Sequence, residues 1–268
     1  MKRIMLLYIL SAIVLITSAQ TSGGEITRKP KGNNIEKSQK ATGSPSGYAN
    51  GHGYVNLGLP SGTIWATMNV GAKDEFSRGD RYVWGACSPG EIKDWSDYFD
   101  YKGYDEYNHV TFKTYHHGND GKYGISPDDG HDVCRAKWGD NWRLPTKTEF
   151  EELRNNCKWK RLRIKGNDIY LITGPNGNSI YLISSEDPKK GDEWGWYYYW
   201  TSTLDTTRNK ERKYDNHDEY AYQFIRSGLA SYDGMYGYPN GSRKKACNIR
   251  PVFNPKDKKI KQQRGTIN

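Results

Sequence analysis

The sequence predicts an α+β fold with a mainly antiparallel sheet, two short helices and long ordered loops. Three observations lead to this prediction: a capped helix signal after residue 146, a hairpin pattern around residues 174–177, and an aromatic run that alternates like a strand. Strand signals both precede and follow the helix signals, an order typical of α+β domains. The composition agrees, because 21 Tyr, 9 Trp and 29 Gly favour many short strands and turns over disorder.

The first predicted elements are short strands, followed by a short helix. Residues 54–57 alternate as a strand, a Pro-Ser-Gly turn follows, and residues 63–70 resume a β-type run. The stretch SPDDGHDVCRAKWG then predicts a helix of about two to three turns. Ser126 or Asp128 can cap this helix at its start, and Gly139 follows its last residue.

The strongest local signal is the second helix, in RLPTKTEFEELRNNCKW. Thr146 and Glu149 have the spacing of a capping box, in which each side chain bonds to the backbone N–H of the other residue. Phe150, Leu153 and Cys157 then recur at i, i+3 and i+7 and mark one helix face. The spacing therefore predicts a helix that begins after Thr146.

The second half of the chain consists of strand signals. Two apolar runs, DIYLIT and NSIYLIS, flank the turn sequence GPNG at residues 174–177 and predict a β-hairpin. Later, EYAYQFIRSG and NIRPVF supply two further strands.

Between these strands lies WGWYYYWTST, with five aromatics in a row. Such a run could form a sugar-stacking platform, a membrane-surface belt or a buried strand. On a strand, Trp196, Tyr198 and Trp200 face one side, and Tyr197 and Tyr199 face the other. One set can then enter the core while the second lies under a loop.

The ends of the chain differ from its middle. Lys2 and Arg3 precede an apolar run and a small-residue exit, a pattern that predicts a secretory signal peptide over residues 1–19. Residues 20–53 resemble a flexible basic linker and residues 254–268 a basic disordered tail. We therefore expect an exported protein with no membrane span, located in the periplasm, on the cell surface or outside the cell.

The net charge of +9 does not indicate a nucleic-acid-binding protein. Lys2 and Arg3 contribute +2, residues 20–53 contribute +3 and residues 254–268 contribute +4, so residues 54–253 are neutral. A neutral folded part has no net field to attract a polyanion.

Four cysteines, Cys87, Cys134, Cys157 and Cys247, occur in a chain predicted to enter an oxidising compartment, so we expect at least one disulfide. Three complete pairings are open. No pair has C-x-x-C spacing, so neither a zinc site nor a redox dithiol is indicated.

Several blocks together resemble one family. NLGLPSGTIWATMNVGA, YVWGACSPG, AKWGDNWRLPTKTEFEELRNNCKW, NGNSIYL, YYYWTST and IRPVF are similar, in this order from Tyr54 to Phe253, to the Fibrobacter succinogenes major paralogous domain. This family is abundant in exported proteins of Bacteroidetes-type bacteria. The resemblance implies a C-type lectin-like fold over residues 54–253, of the branch shared with formylglycine-generating enzymes, whose RLPTEAEWE segment is similar to residues 143–151.

The resemblance also implies a role for the aromatic run. The corresponding family segment is a framework strand, so we expect Trp196, Tyr198 and Trp200 in the core and Tyr197 or Tyr199 partly buried.

The cysteines depart from the family pattern. Family members often have Cys where this chain has Met68, matched with a Cys at the position of Cys157, and with Met68 that pairing cannot form. The resemblance implies that Cys134 is a buried thiol. Cys87 and Cys247 both look like additions to the pattern, which suggests that they pair with each other.

The sequence carries no pattern of a known catalyst, so we expect no enzyme, no catalytic residue and no cofactor. Formylglycine-generating enzymes are expected to hold copper between two late cysteines, whereas only Cys247 lies in the last third here. G-x-S-x-G, H-E-x-x-H and P-loop motifs are absent. Asp120, Asp128, Asp129 and Asp132 lack a calcium-loop spacing, so no metal site is predicted.

The predicted function is recognition of a glycan or protein at the cell envelope. In relatives, the segment between the late strands forms a ligand-facing surface, and here it reads SGLASYDGMYGYPNGSRKKAC. Its mixture of tyrosines and small polar residues suits a binding surface, although an ordered loop packed on its own tyrosines fits equally well. The candidate ligand-binding residues are Tyr232, Asp233, Tyr236, Tyr238, Asn240 and Arg243.

Two alternatives remain open at this stage. The chain could be a structural or adhesive envelope component attached through its basic tails, or a degenerate enzyme of the formylglycine-generating type.

Overall fold

Antiparallel strands make up most of the fold. The computed structural model describes residues 44–106, 110–113, 124–139, 141–187, 194–205, 219–227, 233–237 and 240–257. The predicted signal peptide, residues 1–19, lies outside this part of the chain.

In chain order, the described part begins with six strands, with a 3-10 turn at Trp95–Asp97 between the fourth and the fifth, and two α-helices follow. The elements before and including the helices are β1 (Gly47–Ala49), β2 (His52–Asn56), β3 (Ile64–Ala66), β4 (Arg81–Tyr82), β5 (Tyr101–Tyr104), β6 (Val110–Phe112), α1 (Val133–Trp138) and α2 (Lys147–Asn156). The strands after the helices are β7 (Lys158–Ile164), β8 (Asn167–Thr173), β9 (Ser179–Ile183), β10 (Tyr197–Leu204), β11 (Ala221–Arg226), β12 (Asp233–Tyr236), β13 (Cys247–Asn248) and β14 (Val252–Phe253).

These strands form four sheets instead of the one sheet that the sequence suggested. Their orders are β1-β2-β3-β14, β12-β11-β10-β13-β4, β5-β6 and β7-β8-β9. All neighbours are antiparallel except β10 and β13, which are parallel. Mostly antiparallel sheets with few helices confirm the coarse fold class, and the GPNG hairpin is confirmed as β8 and β9.

The segment NIRPVF is not one strand, as the sequence suggested. It contains the end of β13 and all of β14, which belong to different sheets. Arg250 lies fully buried at the crossing, where its guanidinium donates to the carbonyls of Ala66 and Thr67 at 3.0 and 2.9 Å and to Asn69 at 2.8 Å. The crossing segment therefore joins the two sheets through the buried arginine.

The folded part extends beyond residues 54–253 at both ends. Strand β1 and the start of β2 fall within the predicted linker, and the Ser46 amide donates to the Tyr54 carbonyl at 2.7 Å. At the other end, Asp257 forms an ion pair with Arg143 at 3.2 Å. The linker boundary at residue 53 and the tail boundary at 254 are therefore corrected, because backbone pairing and a charge pair fix these flanks.

Strand β10 is the centre of the core. Trp200 and Tyr198 enter one apolar cluster, with Trp84 and Trp142 among its members. Their neighbours Tyr197 and Tyr199 enter a second cluster on the opposite face, with Trp65 and Phe150. Both faces of the strand are thus covered.

This arrangement corrects part of the prediction for the aromatic run. Tyr198 and Trp200 lie in the core as expected, but Tyr197 and Tyr199 are also buried, and Trp196 is the residue left partly exposed. The reason is topological, since β10 has a strand on each side and apolar clusters against both of its faces.

Helix α1 begins later than the sequence suggested. Asp132 caps it, instead of Ser126 or Asp128, and its carboxylate accepts from the amides of Cys134 and Arg135 at 2.9 and 3.2 Å. Burial raises the pKa of Asp132 to about 6 even though these backbone bonds act in the opposite direction.

The acidic stretch before α1 is a separate turn. Asp129 accepts from the amides of Ser126 and His131, each at 2.8 Å, so its carboxylate closes this turn instead of starting the helix. Gly139 ends the helix with a φ of +89°, as predicted from its position.

Helix α2 confirms the capping box. The Thr146 hydroxyl accepts from the Glu149 amide at 3.2 Å, and the Glu149 carboxylate accepts from the Thr146 amide at 2.8 Å. Phe150 and Leu153 face the core, whereas Cys157 lies just beyond the last helical residue.

Replacing Thr146 with alanine is expected to lower the free energy of unfolding by about 1 kcal/mol through loss of the cap. Urea denaturation would measure this loss, with Thr146→Ser, which retains the capping hydroxyl, as the control. Because α2 does not line the groove described below, ligand affinity should not change. An altered affinity with an unchanged midpoint would contradict this role.

All four cysteines are free thiols. The expected Cys87–Cys247 bridge is therefore not formed, and the predicted disulfide is corrected. Cys247 is fully buried and donates to Gln223 at 3.2 Å, whereas the Cys87 thiol lies at the surface against the Gly130 carbonyl at 3.4 Å. Cys134 is buried, as the resemblance implied.

Candidate functional site

A shallow groove lies beside the edge strand β4 and its neighbour β13. Its volume is about 390 Å³, within the usual range of small-ligand sites. Its walls are formed by strand β4, the loop that follows β4, Glu186 beyond the end of β9, and the segment before β13. The lining residues are Arg81, Glu91, Ile92, Lys93, Glu186, Ser242, Lys244, Lys245 and Ala246.

Backbone hydrogen bonds hold the segment before β13 in place. The Arg243 amide donates to the Glu219 carbonyl at 2.8 Å, and the Arg243 carbonyl accepts from the Trp84 amide at 3.1 Å. The Lys245 amide also donates to the Ser242 carbonyl at 2.9 Å, which closes a tight turn. The groove wall is therefore built on fixed backbone.

The side chain of Arg243 anchors this wall from beneath. It is only 2% exposed, and its guanidinium carbon lies 4.5, 5.0 and 4.0 Å from the ring centroids of Trp84, Tyr98 and Phe112. Its Nε donates to the Tyr98 hydroxyl at 3.1 Å, and Asp100 lies 3.7 Å away as a counter-charge. Arg243 was a candidate ligand residue, and the structure corrects this: it is a structural anchor with no surface to offer.

The two lysines after Arg243 point to the groove instead. The Lys244 ammonium lies 5.2 Å from the ring centroid of Trp95 and donates to the Lys93 carbonyl at 3.1 Å. The Lys245 ammonium lies 3.3 Å from the ring centroid of Tyr198. Both rings are buried. The groove therefore presents ammonium groups, and the aromatic faces beneath them are already occupied by cation–π contacts.

Arg81 connects the groove's two carboxylates. Its guanidinium lies 2.5 Å from Glu91 and 3.4 Å from Glu186. Four cationic side chains face two carboxylates in the lining, so the groove carries a net charge of +2. Among the described residues, neither Lys93 nor Lys244 forms an ion pair.

The predicted ligand residues that the structure describes do not converge on one site. Asp233 and Tyr236 lie on β12, the edge of the five-stranded sheet opposite β4. Asp233 forms ion pairs with Arg154 and Arg226 at 3.4 and 3.2 Å. Tyr236 is half-buried against a core cluster.

Asn240 does not line the groove either. The Asn240 carbonyl accepts a hydrogen bond from the buried amide of Gln223, and the Asn240 side chain is half-buried. Tyr232 and Tyr238 lie outside the described residues.

The predicted segment forms one groove wall, but none of the candidate residues that the structure describes lines the groove. The run Arg243-Lys244-Lys245 was the available signal, because three consecutive cationic residues indicate a locally charged segment. The contributions of Arg81 and Glu186 had no local signal, because they lie more than 50 residues away in sequence from this wall.

The described residues contain no group of three His, Cys, Asp or Glu side chains that could hold a metal ion. Asp129 and Asp132, two of the four acidic residues considered for calcium, hold backbone amides as described above, and Asp120 lies outside the described part.

Within the residues that the structure describes, no helix is long and apolar enough to cross a bilayer. Comparison with known proteins gave no match: no family model, curated protein or solved structure is significantly similar to this chain.

Proposed function

We propose that this chain is an exported recognition module that binds a glycan or protein ligand at the cell envelope through the groove beside β4 and β13, without catalysing a reaction. The observation that carries this proposal is a concave surface whose wall is fixed by backbone bonds and by the buried Arg243, and whose lining carries four cationic and two acidic side chains. Binding sites of this kind are largely formed before the ligand arrives.

We also propose that the fold is the C-type lectin-like fold of the Fibrobacter succinogenes major paralogous domain. The blocks that resemble this family pack on one another, which supports the proposal: Trp65 of β3 meets Phe150 of α2 edge to face, with 5.0 Å between ring centroids, and Val252 of β14 pairs with Arg143. A crystal structure superposed on a member of that family would test it.

The state of the candidate catalytic groups supports a non-enzymatic role. Both groove carboxylates, Glu91 and Glu186, are engaged by Arg81. Burial raises the pKa of Cys247 to about 12, so its thiol is protonated at neutral pH and unsuited to bind a metal as thiolate.

Filling the groove tests the site. The variant Ser242→Trp places an indole among the lining residues, and we expect at least about a tenfold loss of affinity, equivalent to about 1.4 kcal/mol, for any ligand detected on glycan arrays or with purified envelope components. Ser242→Ala, which keeps the groove open, should bind like the natural protein.

Circular dichroism and melting curves would show that both variants fold. Equal binding by the two variants would place the ligand site elsewhere. The absence of any envelope ligand for the natural protein would contradict the proposed function itself.

A further inference from the structure

We propose that the groove selects saccharides that carry an anionic group, a uronate carboxylate or a sulfate ester, and that this group replaces Glu91 as a partner of Arg81 between the ammonium groups of Lys93 and Lys244. This inference rests on the proposed function and names the ligand class of the same site.

The groove differs in charge from the rest of the folded part. The folded part of the chain is neutral overall, as the sequence showed, yet the lining of this groove carries a net +2. Lys93 is exposed, and Lys244 donates to the Lys93 carbonyl, so the two lysines are neighbours on the rim. A compact ammonium group is a point charge that suits a carboxylate, sulfate or phosphate oxygen.

The covered aromatic rings argue against a neutral sugar. A neutral saccharide is held mainly by stacking on an exposed ring face together with hydroxyl hydrogen bonds. The rings next to this groove, Trp95 and Tyr198, are buried, and lysine ammonium groups stand over both. Ile92 and Ala246 are the apolar lining residues, which leaves little surface for stacking.

The short edge of the sheet argues against an acidic peptide. A peptide can bind by adding a strand to a sheet edge, but β4 has only two residues. The carbonyl of Arg81 already accepts from the Gly90 amide at 3.0 Å. An extended peptide would therefore find few free backbone groups, whereas an anionic saccharide needs none.

Arg81 has two carboxylate partners and can exchange one of them for a ligand anion. Glu91 is the more exposed of its two partners, with 64% of its side chain accessible against 34% for Glu186. A ligand anion can take the place of Glu91 without leaving the guanidinium unpaired, while Glu186 stays in contact. Glu91 then acts as an internal competitor, and its removal should strengthen binding.

The experiment uses matched pairs of ligands and variants. The probes are digalacturonate and its dimethyl ester, a sulfated galactose disaccharide and the same disaccharide without sulfate, and tetraglutamate, each measured by calorimetry at low and high salt. The test variant is the double substitution Lys93→Ala with Lys244→Ala. Its control, Lys158→Ala with Lys160→Ala, removes the same charge from two exposed lysines of β7 that lie outside the groove lining.

We expect at least one charged saccharide to bind about tenfold more tightly than its neutral partner, with the difference reduced by salt. The Lys93 and Lys244 variant should weaken this binding about tenfold, the β7 control should not change it, and Glu91→Gln should tighten it about threefold. Whichever charged saccharide binds identifies carboxylate or sulfate as the preferred group.

Three results would overturn the inference. Equal affinity for charged and neutral partners, with both lost in Ser242→Trp, would leave the proposed function standing and remove the anion selectivity. Tighter binding of tetraglutamate than of either saccharide would make the ligand an acidic peptide. An equal loss in the groove variant and the β7 control would show only nonspecific attraction to the whole surface.

Discussion

Replacing Trp200 with alanine is expected to lower the free energy of unfolding by about 3–5 kcal/mol, because the substitution removes a fully buried indole and leaves a cavity. Trp200 lies on the central strand β10, within the cluster that contains Tyr82 and Trp84. Close-packed neighbours on this strand relax only partly around a cavity.

The indole also holds two backbone groups. Its Nε1 donates to the carbonyls of Tyr82 and Lys245 at 2.9 and 3.2 Å. In the alanine variant these carbonyls lose their common donor, which adds to the destabilisation. Since Lys245 lines the groove and Tyr82 belongs to β4, the variant should weaken ligand binding as well as stability.

Chemical denaturation of the natural protein and of two variants would measure this effect. Tyr48→Ala is the control, because Tyr48 is 71% exposed and its loss should change stability by less than about 0.5 kcal/mol. If Trp200→Ala unfolded at the same denaturant concentration as the control but lost ligand binding, the aromatic run would be a binding platform and its placement in the core would be wrong.

Replacing Glu149 with alanine is expected to lower the free energy of unfolding by about 3–5 kcal/mol, because it leaves a buried guanidinium without its main counter-charge. The carboxylate of Glu149 accepts from both terminal nitrogens of Arg143, at 2.7 and 2.8 Å. It also accepts from the hydroxyl of Thr63 at 2.8 Å and from the Thr146 amide at 2.8 Å. One substitution therefore breaks the charge pair and the helix cap together.

Two further variants separate these contributions. Glu151→Ala removes a half-exposed carboxylate from the same helix, 3.6 Å from Lys147, and should cost less than about 1 kcal/mol. Arg143→Met combined with Glu149→Leu removes both charges, and this double variant should be more stable than Glu149→Ala alone. A double variant less stable than the single one would show that the unpaired guanidinium is not the source of the loss.

The same pair gives a pH dependence. Burial raises the pKa of Glu149, but the charge and hydrogen bonds of Arg143 outweigh burial and hold this pKa below its ordinary value of 4.5. The folded state therefore favours the ionised form. Its contribution to stability is fully present above the unfolded pKa and is lost as the pH falls through the folded one.

The natural protein should thus lose stability below about pH 4.5, and Glu149→Gln should lack this component. The difference between the two proteins isolates Glu149, because both contain Asp132, which acts in the opposite sense. Burial raises the pKa of Asp132 to about 6, so its contribution is present at low pH and is lost as the pH rises through that value. Denaturation curves between pH 3 and 7 would measure both trends, and parallel pH profiles for the two proteins would contradict the role of Glu149.

The sequence alone determined the elements that depend on neighbouring residues. The capping box of Thr146 and Glu149 uses groups three residues apart, and the GPNG hairpin is closed by its own turn, so both were predictable from local patterns. The mainly antiparallel fold class follows from the order of such elements. A local pattern cannot, however, decide between competing caps. The choice of Asp132 over Ser126 or Asp128 depended on Leu144, whose amide donates to the second Asp132 oxygen at 2.8 Å.

Only the tertiary structure decided which surfaces of these elements are covered and which remain free. Alternation along β10 shows two faces but not what packs on each, so the burial of Tyr197 and Tyr199 required the second core cluster to be known. The groove could not be predicted for the same reason. Arg243 packs on aromatic rings, and Arg81 pairs with Glu186, through contacts between residues that are distant in sequence. Whether a charged side chain anchors a wall or faces a ligand depends on burial, and burial is set by contacts between distant segments that no local pattern specifies.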